Sequence, residues 1–318
     1  MNLLDENRRI AVWLTHRSVP CWRLTPEQAA RLERELPGVT VALCADEAAF
    51  LAALPTAEVA VVWRFDAAWL ARAPHLRWLA TPAAGRDYFQ LPATAGVTVS
   101  YGHFHGELMA ETVLGMMLAG TRGLLEAQRR QLHGEAWPRA ALGERIRSLR
   151  GSHLVILGFG AIGQWVGRLA KPFGVRVTGV RRSAMLRPEW FATGDQVVTP
   201  EQLDALLPGT EHLVLTLPGD TGTDHLLDDR RLRRLPSHAW VYNVGRGNAL
   251  DEAALATALR EGRLAGAALD VFQEEPLPAE SPLRQVPNLL LMPHVAAVAP
   301  HYLDRFLDEF IADYRRRF

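Results

Sequence analysis

The sequence predicts an α/β protein of two domains, each built on a parallel sheet covered by helices. Strand-length apolar runs alternate with helix-period segments almost throughout, the pattern of parallel strands joined by crossover helices. The 318 residues suffice for two domains of ordinary size, and shares of 48% apolar and 22% charged residues are those of a globular chain. One strand–helix junction, GFGAIG at residues 158–163, is glycine-rich, and nothing like it occurs in the first α/β unit.

The first unit opens with RIAVWL, a strand, followed by TPEQAARLERELPG, where Thr25 caps a helix and a Pro-Gly pair stops it. VTVALC, a helix over residues 47–54, VAVVW, a helix around residues 67–72 and LRWLATP continue the alternation. From Gly106 the character changes. ELMAETVLGMMLAGTRGLLEAQRRQL is mostly apolar and free of proline, which predicts one long helix, and the following HGEAWPRAALGERIRSLRG is loop-like. A long helix followed by an extended arm suits a subunit interface or a domain connector. The last segment, AAVAPHYLDRFLDEFIADYRRRF, is a connection and an amphipathic helix that returns to the first domain. The domains are therefore residues 1–104 completed by 296–318, and residues 105–295.

Basic and acidic residues balance at 35 each, so no global field favours nucleic acid or an anionic membrane, and any anion must be met locally. Lys171 is the only lysine and precedes Pro172 late in a surface-type helix, so Schiff-base and lysine-acid chemistry is not expected. No apolar run reaches the roughly 20 residues of a membrane span. The amino end, MNLLDENRRIAVWL, lacks signal-peptide features. Cys21 and Cys44 offer neither a disulfide framework nor metal-ligand spacing. The expectation is a cytoplasmic protein with two free thiols and no metal.

HLVIL is a buried-strand pattern ending at Gly158, and IGQWVGRLA opens a helix directly after. In that setting G-x-G-x-x-G is a dinucleotide cradle. Gly158 permits the tight turn, Gly160 lets the backbone approach a pyrophosphate, and Gly163 brings helix against strand. Phe159, Ala161 and Ile162 complete it, with the diphosphate on the N–H groups at the helix amino end. The next strand, FGVRVTGV, ends at Arg181, Arg182 and Ser183. A carboxylate there would accept hydrogen bonds from a ribose 2′-hydroxyl and repel a 2′-phosphate. A guanidinium fork does the reverse, and Ser183 adds a hydroxyl. NADP(H) is favoured, NAD(H) remains possible, and solvated surface charge is the alternative for one or both arginines.

Three further strand ends carry reactive side chains. Arg246 follows a strand in NVGRG, where it can polarise a carbonyl and hold a carboxylate. LAGAALDVFQEEPLP places Asp270 at a strand end and Glu275 in the loop beyond, and LLLMPHVAA ends a strand at Pro293 and His294. An arginine, a carboxylate and a histidine at one edge of one sheet form an acid–base constellation.

In their order, GFGAIG, LPGDTGT, NVGRG, LDVFQEEPLP and MPH resemble the D-isomer-specific 2-hydroxyacid dehydrogenase family over essentially the whole chain. The resemblance implies a flavodoxin-like substrate domain split in sequence and a Rossmann dinucleotide-binding domain. It implies a homodimer, and catalysis by Arg246, Glu275 and His294, with the histidine exchanging a proton with the oxygen of a 2-keto or D-2-hydroxy acid. Histidine suits this because its unperturbed pKa of about 6.5 lets it work in either direction. A carboxylate at Glu275 bonded to the ring favours the imidazolium. Further cofactor contacts are implied at Leu217, Pro218, Thr223, Val244, Gly245, Asp270 and Ala296.

The same resemblance places the substrate carboxylate on N–H groups around Ala84 and Gly85 in ATPAAGRDYF, with Trp63 and Arg64 as pocket walls or ordinary packing. The chain departs from the family at YGHFHGELMAE, where His103, Phe104 and His105 either shape substrate choice or cap the helix. HVAAVAP also lacks the glycine that often follows the catalytic histidine. Arg181 resembles the NADPH-using glyoxylate/hydroxypyruvate reductases, so reduction of a small 2-keto acid with NADPH is the leading expectation. NAD-dependent turnover of a larger D-2-hydroxy acid is the second. A non-catalytic nucleotide-sensing protein is the rival of another class.

Overall fold

The computed structural model describes residues 7–86, 89, 91, 92 and 96–318. The chain divides into two compact units, Met1–His105 with Val298–Phe318, and Gly106–Ala297.

Among the described residues the first unit holds five parallel strands, β1 (Arg8–Trp13), β2 (Val39–Leu43), β3 (Val59–Val62), β4 (Trp78–Thr81) and β5 (Thr98–Tyr101), in the order β2-β1-β3-β4-β5. β3 and β4 are buried along their whole length, which is why VAVV and WLAT read as continuous apolar runs rather than as an alternation. α1 (Pro26–Glu35) starts in a capping box: Gln28 N–H donates to Thr25 Oγ1 at 3.2 Å and Thr25 N–H to Gln28 Oε1 at 3.1 Å. α2 (Glu47–Ala53) is capped by Asp46. The helix expected around residues 67–72 is a 3₁₀ segment, Ala67–Arg72, opened by the Asp66 side chain. The C-terminal helix, Tyr302–Arg317, buries Tyr302, Phe306, Phe310 and Tyr314 on one face and stacks Phe310 on Trp78 at 4.7 Å. Its four-residue spacing of aromatics completes the core of a domain that the chain had left at residue 105.

The second unit begins one residue into α3 (His105–Thr121), which is followed by α4 (Leu124–Leu132) and α5 (Arg139–Arg145). The single long helix expected here is two, bent by 62° at Arg122–Gly123. Gly123 adopts φ +69, a conformation that ends a helix cheaply only at glycine, and the apolar pattern runs straight across it. The arm beyond is also not wholly loop, since it contains α5. No single helix among the described residues is long and apolar enough to cross a membrane, and α3 buries Met109, Ala110, Val113, Met116 and Met117.

Next come β6 (His153–Leu157), α6 (Ala161–Ala170), β7 (Arg176–Val180), β8 (Gln196–Val198), α7 (Leu203–Leu206), β9 (His212–Leu215), α8 (Asp229–Leu232), β10 (Trp240–Asn243), α9 (Glu252–Arg260), β11 (Gly266–Leu269) and β12 (Leu289–Leu291). These described strands form one parallel sheet ordered β12-β11-β10-β9-β6-β7-β8. The winding reverses between β6 and β9. In open α/β sheets the carboxyl ends of the strands at such a switch point are where ligands bind.

Two histidines are buried at the amino ends of the central strands. His153 bonds Thr178 Oγ1 and the Gly209 carbonyl, and His212 Nδ1 lies 3.0 Å from the Tyr242 hydroxyl. Burial lowers His212 to about 4. A histidine unfolds to an ordinary affinity near 6.5, so between those pH values the unfolded chain binds the extra proton and stability falls as pH falls. Taking the protein from pH 7 to pH 4 should therefore cost about 3 kcal/mol through His212 alone. Urea unfolding of His212→Asn should show a shallower acid loss by about that amount; an unchanged slope would assign the acid sensitivity elsewhere.

Candidate active site

The cradle between β6 and α6 is built from its glycines. Gly158 has φ +91, and a Cβ on it would lie 2.8 Å from the Thr216 carbonyl oxygen; one on Gly163 would lie 2.7 Å from the Gly158 oxygen. Both positions are closed to any side chain. A Cβ on Gly160 would instead have nothing nearer than the Gly158 oxygen at 4.0 Å, so the space it would fill lies open at the amino end of α6. That helix end has no side-chain cap. Uncapped N–H groups of Ala161, Ile162 and Gly163, a positive dipole end and a backbone surface bare of Cβ fit a dinucleotide diphosphate. The ring of Phe159, expected as a cofactor contact, is fully buried, and a Cβ on Gly179 of β7 would lie 2.2 Å from it. Its N–H is bonded to the Val180 carbonyl at 3.0 Å, so Phe159 fastens the cradle to β7.

At the tip of β7, Arg181 is half-buried and its Nη1 donates to Met185 Sδ at 3.2 Å. Arg182 is 78% exposed and lies 3.8 Å from Asp220, and Ser183 is exposed. The loop after β9 carries Leu217, Pro218 and Thr223; the Thr223 hydroxyl is bonded to the Pro218 and Asp220 carbonyls, which holds the turn.

The ends of β10, β11 and β12 assemble the reactive groups. Asn243, wholly buried, accepts the Gly245 N–H at 3.1 Å and donates to the Arg246 carbonyl at 3.0 Å, wrapping the NVGRG turn around its own amide. Val244 is buried, and Gly245 packs so tightly that a Cβ would lie 2.6 Å from Leu217 N. A Cβ on Gly247 would lie 1.9 Å from the Phe272 carbonyl carbon, so the backbone leaving β11 crosses directly over this glycine. Arg246 Nη1 donates to the Gly245 carbonyl at 2.9 Å.

Glu275 and His294 meet at 2.7 Å, carboxylate Oε2 to imidazole Nδ1, and Glu275 Oε1 accepts the Phe272 N–H at 3.0 Å. Burial pushes the Glu275 carboxyl up, but the bond to His294, the Phe272 N–H and the nearby Arg246 outweigh it, and its pKa is lowered. The pair is thus an ionised carboxylate fixing one ring nitrogen, which leaves Nε2 for proton exchange. His294 itself has φ +53, unusual for a residue with a side chain. Asp270 supports that conformation. Its fully buried carboxylate accepts Val295 N–H at 2.7 Å and Ala296 N–H at 2.9 Å, and its carbonyl accepts His294 N–H at 2.8 Å. Thr112 of α3 donates to the Ala296 carbonyl at 2.8 Å. Asp270 and Ala296, expected as cofactor contacts, hold the histidine loop through these bonds.

In the first unit the expected substrate residues lie beyond β3 and β4. Trp63 Nε1 donates to the Trp22 carbonyl at 2.9 Å, and its ring lies about 6 Å from those of Trp22 and Tyr302. Arg64 is bonded to Glu47 and lies over Trp13 at 5.2 Å, so its guanidinium is engaged on the α2 side. In the loop after β4, Ala84 is exposed and Gly85 half-buried. The loop is held by Gly102 N–H on the Ala83 carbonyl at 3.0 Å. His105 bonds the Tyr302 hydroxyl at 2.9 Å, and His103 N–H is bonded to Glu309. The roles of Asn243 and Thr112 were not anticipated. An asparagine two residues before a glycine is a recognisable turn signal, whereas nothing local marks Thr112.

Residues 114–296 match the family model described as D-isomer specific 2-hydroxyacid dehydrogenase, NAD binding domain. Glyoxylate/hydroxypyruvate reductase B of Yersinia enterocolitica is 34% identical over 239 residues, covering 74% of this chain and 72% of the relative. The (S)-sulfolactate dehydrogenase of Chromohalobacter salexigens is 36% identical over 246 residues, 74% of this chain and 75% of its own. Among solved structures, an NADPH-dependent glyoxylate/hydroxypyruvate reductase from Sinorhizobium meliloti in complex with NADP and sulfate superposes with a TM-score of 0.79 at 26% identity, covering 98% and 96% of the two chains. With more than half the chain inside the matched family segment and reductases alike over most of their length, this protein belongs to the D-isomer specific 2-hydroxyacid dehydrogenase family.

Proposed function

We propose that this protein reduces a small 2-keto acid of the glyoxylate or hydroxypyruvate kind to the 2-hydroxy acid, with NADPH preferred to NADH. The observation that carries the reading is the 2.7 Å Glu275–His294 pair on the same sheet edge as the glycine cradle. A bound nicotinamide dinucleotide supplies the hydride. His294 gives the proton to the carbonyl oxygen as the adjacent carbon is reduced, and Glu275 keeps the ring oriented and balances its charge. On the second unit, Arg246 polarises that oxygen and holds a carboxylate; on the first unit, the N–H groups around Ala84 and Gly85 are carboxylate receptors in their own right. Trp63 limits the space beside them. Arg181 and Arg182, with Ser183, meet the 2′-phosphate. The protein works in the cytoplasm as a homodimer; Leu124, Leu132 and Trp137, exposed by 58%, 80% and 77% on α4 and the arm beyond it, support a surface covered by a second copy.

Assays of glyoxylate, hydroxypyruvate, pyruvate and bulkier 2-keto acids with NADPH and NADH test the reading, and no turnover of any with either cofactor would sink it. His294→Gln should lower kcat about 10²- to 10⁴-fold, and a fully active variant would remove His294 as the acid. Exchanging Arg181 and Arg182 for Asp should move the NADPH/NADH ratio of kcat/KM toward NADH; an unmoved ratio returns both to surface charge. Gly160→Ala should keep its urea midpoint while dinucleotide binding weakens about tenfold or more. Gly247→Ala, whose Cβ has no room, should lose several kcal/mol of stability; the reverse pattern would refute the assignment of open and closed glycines.

A further inference from the structure

The chain leaves β7 at Val180 and rejoins the sheet at Gln196, and residues 181–195 contain neither helix nor strand. This excursion starts with the arginine pair, and it is fixed from the inside. Asp195 has a fully buried side chain: Oδ1 accepts the Val177 N–H of β7 at 2.8 Å, and Oδ2 accepts the Ala192 N–H at 2.8 Å. Lys171 Nζ lies 2.7 Å from Oδ2 and donates to the Val175 carbonyl at 2.8 Å. The one lysine of an arginine-rich chain thus sits where a compact ammonium must reach a carboxylate and a carbonyl at once, a geometry that a planar guanidinium suits poorly.

Other contacts tie the excursion to the same anchor. Arg187 donates to the Asp195 carbonyl at 3.0 Å and the Ala192 carbonyl at 2.7 Å, and lies 5.5 Å over the Phe191 ring. Phe191 and Trp190 pack at 5.9 and 6.2 Å on Phe159, the inward ring of the glycine cradle. At the near end Met185 Sδ receives Arg181 Nη1. Contacts therefore run from Lys171 through Asp195 to Ala192 and Arg187, and Met185, which receives Arg181, packs against the same core cluster as Phe159 and Phe191.

We infer that Lys171 and Asp195 are positioning residues for cofactor choice: their ion pair, with its carboxylate buried, holds the 181–195 excursion so that Met185 sets Arg181 toward a ribose 2′-phosphate. The inference rests on the proposed NADPH preference. Neither residue touches the cofactor; both act through Arg181. Taking away the ammonium alone leaves a buried carboxylate short of a partner, while taking away both charges relaxes the excursion without that penalty. A cofactor without a 2′-phosphate does not depend on the aim of Arg181, so only NADPH should register the change.

The test compares KM for NADPH and NADH, and kcat with each, in wild type, Lys171→Met, Lys171→Met/Asp195→Asn and the near-surface variant Met185→Ala. The double variant should raise KM for NADPH about tenfold and Met185→Ala about threefold. KM for NADH and kcat with saturating NADH should stay within about twofold of wild type. Should Lys171→Met or the double variant fail to fold, Met185→Ala decides alone. A wild type indifferent to the two cofactors overturns the NADPH reading and this inference with it. A wild type that prefers NADPH, together with variants that keep that ratio or weaken both cofactors equally, overturns this inference alone.

Discussion

The carboxylate of Asp270 is the constraint on which the reactive edge depends. A histidine at φ +53 is held against its own preference by a cost of order 1–3 kcal/mol. Two hydrogen bonds from Val295 and Ala296 to a buried, charged acceptor, each worth about 1.5–3 kcal/mol, are enough to offset it. Burial raises the Asp270 pKa, and the two N–H groups and the nearby His294 work against that rise. The same strand end then continues through Phe272 to Glu275. One strand, β11, therefore fixes both the backbone of the histidine and the carboxylate that orients its ring, and crossing over Gly247 it also fixes the turn that carries Arg246.

How much of this was legible in the sequence follows from how local each determinant is. GFGAIG declares its strand, turn and helix within a dozen residues, and HLVIL coincides with β6. NVGRG, LDVFQEEPLP and MPH likewise mark strand ends, because apolar runs stop abruptly there at glycine, acid or proline. The pairing of Glu275 with His294 is anticipated only through resemblance, since nothing in a sequence separation of 19 residues dictates that they meet. The inward turn of the Phe159 ring is not legible in the glycine fingerprint, because it depends on Gly179, a partner on another strand. Asp270 was legible as a strand-end acid but not as a clamp, since its acceptors' partners lie 25 and 26 residues on.

The missed elements share a cause. β5 and β8 are edge strands of four and three residues, partly exposed, so they lack the apolar run that identifies a central strand. The break between α3 and α4 was hidden for the opposite reason: apolar residues continue on both sides of Gly123, and only the backbone dihedral separates them. Pattern reports which face is buried, not whether the axis stays straight.

Unusual backbone geometry marks a site only when chemistry accompanies it. Among the described residues with side chains, His225 shares positive φ with His294, at +44. His225 is exposed; its N–H is bonded to the Asn248 carbonyl at 2.7 Å and its ring meets Gln273 at 3.2 Å. Among the described residues no carboxylate holds its imidazole in the way Glu275 holds that of His294, and its conformation serves the β9–β10 loop contact. His294 combines strain, an ionised partner on Nδ1 and a place at the carboxyl end of β12, the side of an open α/β sheet on which ligands generally bind. The strain is useful there because it turns an imidazole out of the strand direction at the one point where Asp270 can hold the following backbone in place.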